Sequence, residues 1–129
     1  MTHAFLSDDW FAALAALLDA DGQPELPPKL QNIVLNVNAT DGDVVTRATY
    51  RGCYFQPGHS KDASAELTTP RDLCYQVFIE KTMAHGVRAL ATGQAKLKGD
   101  RNQMMPIRAV RPTPSQAEFE RKVREMTRV

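Results

Sequence analysis

The chain has 129 residues, 43% hydrophobic and 24% charged, with a formal net charge of +1, a balance that fits one globular domain burying its own core. Its acids and bases are interleaved, which argues against a nucleic-acid partner, since such binders gather Lys and Arg on one face. Cys53 and Cys74 make no disulfide framework, no basic leader opens the chain, and no apolar run nears the ~20 residues that span a bilayer, so a cytoplasmic protein with buried, reduced thiols is expected.

The first predicted element is a helix. Ser7 suits an N-cap, Asp8 and Asp9 favour the positive end of the helix dipole, and Trp10, Leu14, Leu17 and Leu18 recur at helical spacing. Gly22 should end it. Residues 23–29 carry three prolines and read as an extended connection. From Leu30 to Ala39 the period becomes two, with Ile33, Leu35 and Val37 on one side and Asn32, Asn36 and Asn38 on the other. Asp41-Gly42 marks a hairpin turn. A second strand is expected over about 44–55, and a third over about 63–68.

Thr69-Pro70-Arg71-Asp72 reads as a helix start, with Thr69 as cap and Pro70 in the first turn. Arg71 opposes the dipole there and should have a partner. Leu73, Val77 and Phe78 form the apolar stripe. A further helix covers about Met83 to Ala91 despite Gly86, which costs up to ~1 kcal/mol in a helix interior. Gly93 ends it, Gln94 to Lys98 is a short strand, and Gly99-Asp100 turns the chain. Residues 101–110 fit neither pattern cleanly, because Pro106 interrupts Met104, Met105, Ile107 and Val110. A last helix is predicted from Ser115 to about Thr127, with Phe119, Val123 and Met126 as its stripe and Glu118–Lys122 and Glu120–Arg124 as i,i+4 pairs. So charged a helix has little internal reason to form alone and should dock on the body.

The residues offer no catalytic set. His3, His59 and His85 lack metal-ligand spacing, the cysteines form no Cys-x-x-Cys pair, and no phosphate loop, dinucleotide fingerprint or nucleophile elbow occurs. No enzyme activity, metal or cofactor is therefore expected. Lys96, Lys98, Arg101 and Arg108 form a loose basic group that reads first as edge protection and leaves open a transient contact with a membrane surface. Met104-Met105 fits either core filling or an adaptable apolar wall.

Two segments carry a resemblance. Ala65 to Leu73, reading Ala-Glu-Leu-Thr-Thr-Pro-Arg-Asp-Leu, and Ala91 to Asp100, reading Ala-Thr-Gly-Gln-Ala-Lys-Leu-Lys-Gly-Asp, resemble the sterol carrier protein, or non-specific lipid-transfer, family in order and separation. The resemblance covers about 30–110, with terminal helices at 7–21 and 115–127 outside its strongest part. It implies an α+β fold over 1–129: a curved, mostly antiparallel sheet of about five strands with helices over one face. It also implies non-catalytic uptake of a fatty acid, acyl-CoA or sterol-like ligand into an apolar tunnel between sheet and helices. Carried onto this chain, the lining would be Val77, Phe78, Met83, Val87, Leu90, Leu97, Met104 and Met105, with Trp10, Leu14 and Phe119 as further candidates. Two features depart from the family. The chain ends Thr-Arg-Val, which is no peroxisomal address, and the family's last strand would have to come from Met105 to Val110, with Pro106 at an edge or bulge. The alternative is an interaction or accessory module that keeps the fold with a filled cavity.

Overall fold

The alternation at Leu35, Val37 and Ala39 sets the architecture. The computed structural model describes residues 2–100, 102, 106–107 and 110–129. Strand β2 (Val34–Asp41) pairs antiparallel with β3 (Val44–Arg51) through a tight turn at Gly42-Asp43, where Gly42 takes φ 60°. The paired register places Leu35 opposite Tyr50 and Val37 opposite Ala48. β5 (Ala65–Pro70) lies parallel to β2 on its other side, putting Ala65 beside Leu35 and Leu67 beside Val37. β4 (Tyr54–Pro57) and β6 (Lys96–Gly99) complete the order β4-β3-β2-β5-β6. The sheet is mixed, with β2–β5 the parallel pair and the other neighbouring pairs antiparallel.

Because side chains alternate across a strand, Leu35, Tyr50, Phe55 and Ala65 share one face, and all are buried. The opposite face is polar. There Asn36 Nδ2 donates to Ser60 O (3.0 Å), and Asn36 Oδ1 accepts from Ser60 N (2.8 Å), so the 58–62 loop is held over that side.

Four helices are described. α1 (Asp8–Asp21) starts and stops as predicted: Ser7 Oγ accepts from Trp10 N (3.2 Å), and Gly22 follows at φ 74°. α2 (Arg71–Phe78) and α3 (Met83–Thr92) join β5 to β6. They meet closely at Gly86, where a Cβ would stand 2.9 Å from Val77 Cγ2. The helical cost of glycine there is the condition for the contact. α4 (Pro114–Met126) buries Phe119 and Val123. A short parallel pairing of β1 (His3–Ala4) with β7 (Thr127–Arg128) ties the ends of the chain together.

The interior between sheet and helices is aromatic. Tyr50 and Phe78 rings are 4.7 Å apart, Phe55 and Phe78 are 5.4 Å apart, Phe5 and Trp10 are 5.2 Å apart, and Phe5 packs edge-on to Phe55 at 5.8 Å. Each such pair contributes about 0.5–1.5 kcal/mol beyond area burial.

Several expectations need correction. The first strand starts at Val34, because Pro28–Leu30 form a single 3-10 turn and Ile33, though buried, precedes the ladder. The segment expected as one strand over 44–55 is two, broken at Gly52-Cys53. Gly52 (φ 67°) lies so close to Leu26 and Leu30 that a Cβ would meet Leu26 Cδ1 and the Leu30 carbonyl oxygen. Thr69 does not cap α2. It remains in β5, and Pro70 is the capping position without a side-chain hydrogen bond.

Half of the stretch expected as a last strand, 105–110, lies outside the described residues. Pro106 and Ile107 are helical, and Val110 N donates to Pro106 O at 3.0 Å. A proline is tolerated in a first helical turn, where its missing N–H has no partner to lose. The two predicted pairs on α4 are replaced by others. Arg121 bonds Glu118 and Glu125, Lys122 reaches Asp21 of α1 at 2.7 Å, and Glu120 turns inward.

Candidate ligand-binding site

Three spaces lie in file along the helix-facing side of the sheet. The first, about 20 Å³, is lined by Leu67, Thr69, Leu73, Cys74, Val77, Phe78, Gly86, Leu90 and Ala95. The second, about 10 Å³, sits among Trp10, Leu14, Tyr50, Phe55, Phe78 and Val123. Each holds at most about one water. The third is about 290 Å³, near the lower end of small-molecule sites, and is lined by Leu30, Tyr50, Gly52, Lys81, Ile107, Val110, Pro112, Gln116 and Glu120. Phe78 borders the first and second spaces, while Tyr50 and Glu120 border the second and third. Phe78 is thus common to the walls of the first two spaces, and Tyr50 to those of the second and third.

Of the lining residues predicted from sequence, Val77, Phe78 and Leu90 come together around the first space, with Leu90 36% exposed at its edge. Phe78, Trp10 and Leu14 meet at the second. Leu97 is half-buried on the helix-facing side of β6, opposite Leu67. Met83 opens α3. Val87 faces outward, 44% exposed. Phe119 is buried under α4 and borders none of the three spaces. Met104 and Met105 lie outside the described residues.

The large pocket has a polar end that the sequence reading missed. Lys81 Nζ stands 3.3 Å from Glu120 Oε1, and Tyr50 lines the same pocket. Gln116 Nε2 donates to the same Glu120 oxygen at 3.1 Å. That bond fixes the orientation of the amide, so Gln116 Oε1 is the atom left over. It is buried and has no hydrogen-bond partner among the described residues.

Lys81 belongs to the Ile79-to-Thr82 connection between α2 and α3. It takes φ 62°, a left-handed conformation that costs a non-glycine residue on the order of 1 kcal/mol or more and concentrates at functional sites. Burial disfavours its charge, but the Tyr50 oxygen and the Glu120 carboxylate outweigh this and hold its pKa above the ordinary lysine value. Burial raises the Tyr50 pKa. One signal for the cluster was available: Gln116 and Glu120 are four apart and fall on the same helical stripe as Phe119 and Val123.

Lys81 and Glu120 cancel in charge. Burial pushes the nearby Cys53 thiol up to about 12 and raises Cys74 as well, so both are protonated at neutral pH and poor nucleophiles. Arg71, at the start of α2, is committed to the Phe5 carbonyl oxygen through Nε (3.1 Å) and Nη2 (2.6 Å).

Solved structures with this architecture include those of sterol carrier protein 2. Sterol Carrier Protein 2 Like 2 from Aedes aegypti superposes with a TM-score of 0.55 at 17% identity, over 81% of this chain and 94% of that one. Sterol Carrier Protein 2 from Yarrowia lipolytica, in its apo form, gives 0.51 at 20% identity, over 80% and 91%. Sterol Carrier Protein 2 from Aedes aegypti, in complex with the C16 fatty acid palmitate, gives 0.51 at 17% identity, over 82% and 94%. No family model matches the chain, and no curated protein matches it in sequence. The chain has the sterol carrier protein 2 fold.

Proposed function

We propose that the protein binds an apolar small molecule or lipid without covalent chemistry, in the space between the sheet and its helices, with residues 1–129 acting as one ligand-binding domain. The observation that carries this is the 290 Å³ pocket, whose apolar wall of Leu30, Ile107, Val110 and Pro112 leads through Tyr50 toward the aromatic interior. Palmitate in the Aedes aegypti structure supports the same reading by likeness of fold.

The driving force is release of apolar surface from water. Each buried methylene contributes about 0.8 kcal/mol against an association cost of at least about 4 kcal/mol. Ligands therefore need more than about five methylenes, or an equivalent ring system, before binding is measurable. Val77, Phe78 and Leu90 form the far end of the cavity in this reading, reached when the Phe78 ring moves aside.

The test is displacement of a fluorescent fatty acid by unlabelled fatty acids of increasing length, for the wild type and Leu90→Trp. Affinity that rises with chain length and falls for long chains in Leu90→Trp supports the proposal. No uptake at any length refutes it.

One observation favours a second reading. The two interior spaces beyond Tyr50 amount to about 20 and 10 Å³, as expected for an accessory or interaction module whose cavity is filled. Failure to take up any ligand, together with specific capture by a partner protein, would establish that alternative.

A further inference from the structure

The outer face of α1 carries no polar side chain through its middle. Residues 10–18, reading Trp-Phe-Ala-Ala-Leu-Ala-Ala-Leu-Leu, are all apolar, and a helix that is apolar all round is ordinarily buried all round. Here one side is covered. Trp10 and Leu14 enter the core, while Ala12, Ala15 and Ala16 are exposed. Beside them α1 and α4 form an open groove of about 480 Å³, lined by Ala13, Ala16, Leu17, Lys122, Glu125 and Met126. It shares no lining residue with the three spaces under the helices. Alanines on its α1 wall let another helix come close, since side-chain size sets the distance between helix axes.

The charges around the groove select the occupant. α1 carries Asp8, Asp9, Asp19 and Asp21 and no base. Lys122 is paired with Asp21, and Glu125 with Arg121. Asp8, Asp9 and Asp19 form no ion pair among the described residues. Asp19 lies near the negative end of the helix dipole, where a carboxylate is unfavourable, and no base in that turn offsets it. A second copy of this chain laid along α1 would set aspartates against aspartates in either direction, and an anionic membrane would meet the same repulsion. A basic partner would not.

We propose that the α1–α4 groove docks an amphipathic helix of a partner protein, with its apolar stripe on Ala13, Ala16, Leu17 and Met126 and with Lys or Arg at both ends of that stripe, against Asp9 and Asp19. The two aspartates are about 15 Å apart along the axis of α1, so the basic ends of the partner helix are about ten residues apart. Recognition is of the helix-in-groove kind, on a surface separate from the one that would take up a ligand.

Two synthetic helical peptides of about 16 residues test this. They share one Leu and Ala stripe and differ in carrying Lys or Glu at both ends. Each is titrated with the full chain and followed by fluorescence anisotropy. The Lys peptide should bind about tenfold tighter than the Glu peptide, and more weakly as salt rises from about 0.1 to 0.5 M. Ala16→Arg fills the groove from an exposed position and should weaken binding about tenfold or more. Asp9→Lys combined with Asp19→Lys should reverse the preference. Thermal unfolding confirms that the variants fold, and either one alone decides the case. Binding of neither peptide, equal binding of both, or binding unmoved in both variants overturns the proposal. A dimer that Ala16→Arg dissociates in sedimentation, or binding to phosphatidylglycerol vesicles in place of the peptides, overturns it in favour of a second copy or a membrane.

Discussion

Trp10 Nε1 donates to Thr127 Oγ1 at 2.8 Å across 117 residues of sequence, inside the core. This bond joins α1 to the end of α4, beside the β1–β7 pairing that closes the chain. It shows that the terminal helices are part of the body that covers the sheet.

Thr127→Val keeps the shape and removes the acceptor, leaving a fully buried indole N–H without a partner. The expected cost is about 1–3 kcal/mol in urea unfolding. A change within about 0.5 kcal/mol, the range of ordinary surface substitutions, would show that the terminal helices are tied by apolar packing alone.

Gly86→Ala should destabilise the protein although alanine is the better helix former. The gain of up to about 1 kcal/mol from propensity is outweighed by overpacking of about 1–3 kcal/mol, because the new Cβ stands 2.9 Å from Val77 Cγ2. In a Val77→Ala background the same substitution should become stabilising. Additive effects in that double-mutant cycle would contradict the close contact of α2 with α3.

Charges on one face of α4 should differ in weight from those on the other. Glu120 is 12% exposed and holds Lys81, itself 31% exposed; Glu118 pairs with Arg121 in solvent. Glu120→Ala should cost about 1–2 kcal/mol, reduced from a fully buried pair by the solvent that reaches Lys81. Glu118→Ala should stay within about 0.5 kcal/mol. Equal effects would mean that the inward pair is as screened as the outer one.

Alkaline pH should weaken the fold. The folded pKa values of Cys53, Cys74, Tyr50 and Lys81 all lie above their ordinary values. The native state therefore keeps protons that the unfolded chain has released. Stability from Cys53 is complete below its unfolded value of 9.0 and is lost as pH rises toward about 12. Each group that titrates only when unfolded steepens the loss by about 1.4 kcal/mol per pH unit. Urea unfolding between pH 8 and 11 should show this decline, and Cys53→Ala should make it shallower. An unchanged slope in that variant would remove Cys53 from the account.

What the sequence disclosed follows from the range of its signals. Ser7, Gly22 and the Asp41-Gly42 turn act within a few residues, and the structure places α1 and the β2–β3 hairpin where those residues indicate. The break at Gly52-Cys53 was hidden, because the reason for it is the approach of Leu26 and Leu30. Thr69 and Pro70 both resemble helix starters, and pairing of β5 with β2 as far as Pro70 decided between them. At the candidate site the apolar side was partly legible, since Val77, Phe78 and Leu90 follow helical spacing. The polar end was not: Lys81 lies in a connection with no periodicity, and Glu120 suggested a surface pair with Arg124 until α4 was seen docked with its Gln116–Glu120 stripe turned inward.

The central claim is that an apolar ligand occupies this fold. Native mass spectrometry of the purified protein, followed by organic extraction and identification of what is released, tests it most directly. The account predicts a bound apolar molecule, present at purification or acquired from a mixed lipid pool. A single unliganded mass, unchanged after incubation with that pool, would contradict it and leave the filled-cavity module as the function of this chain.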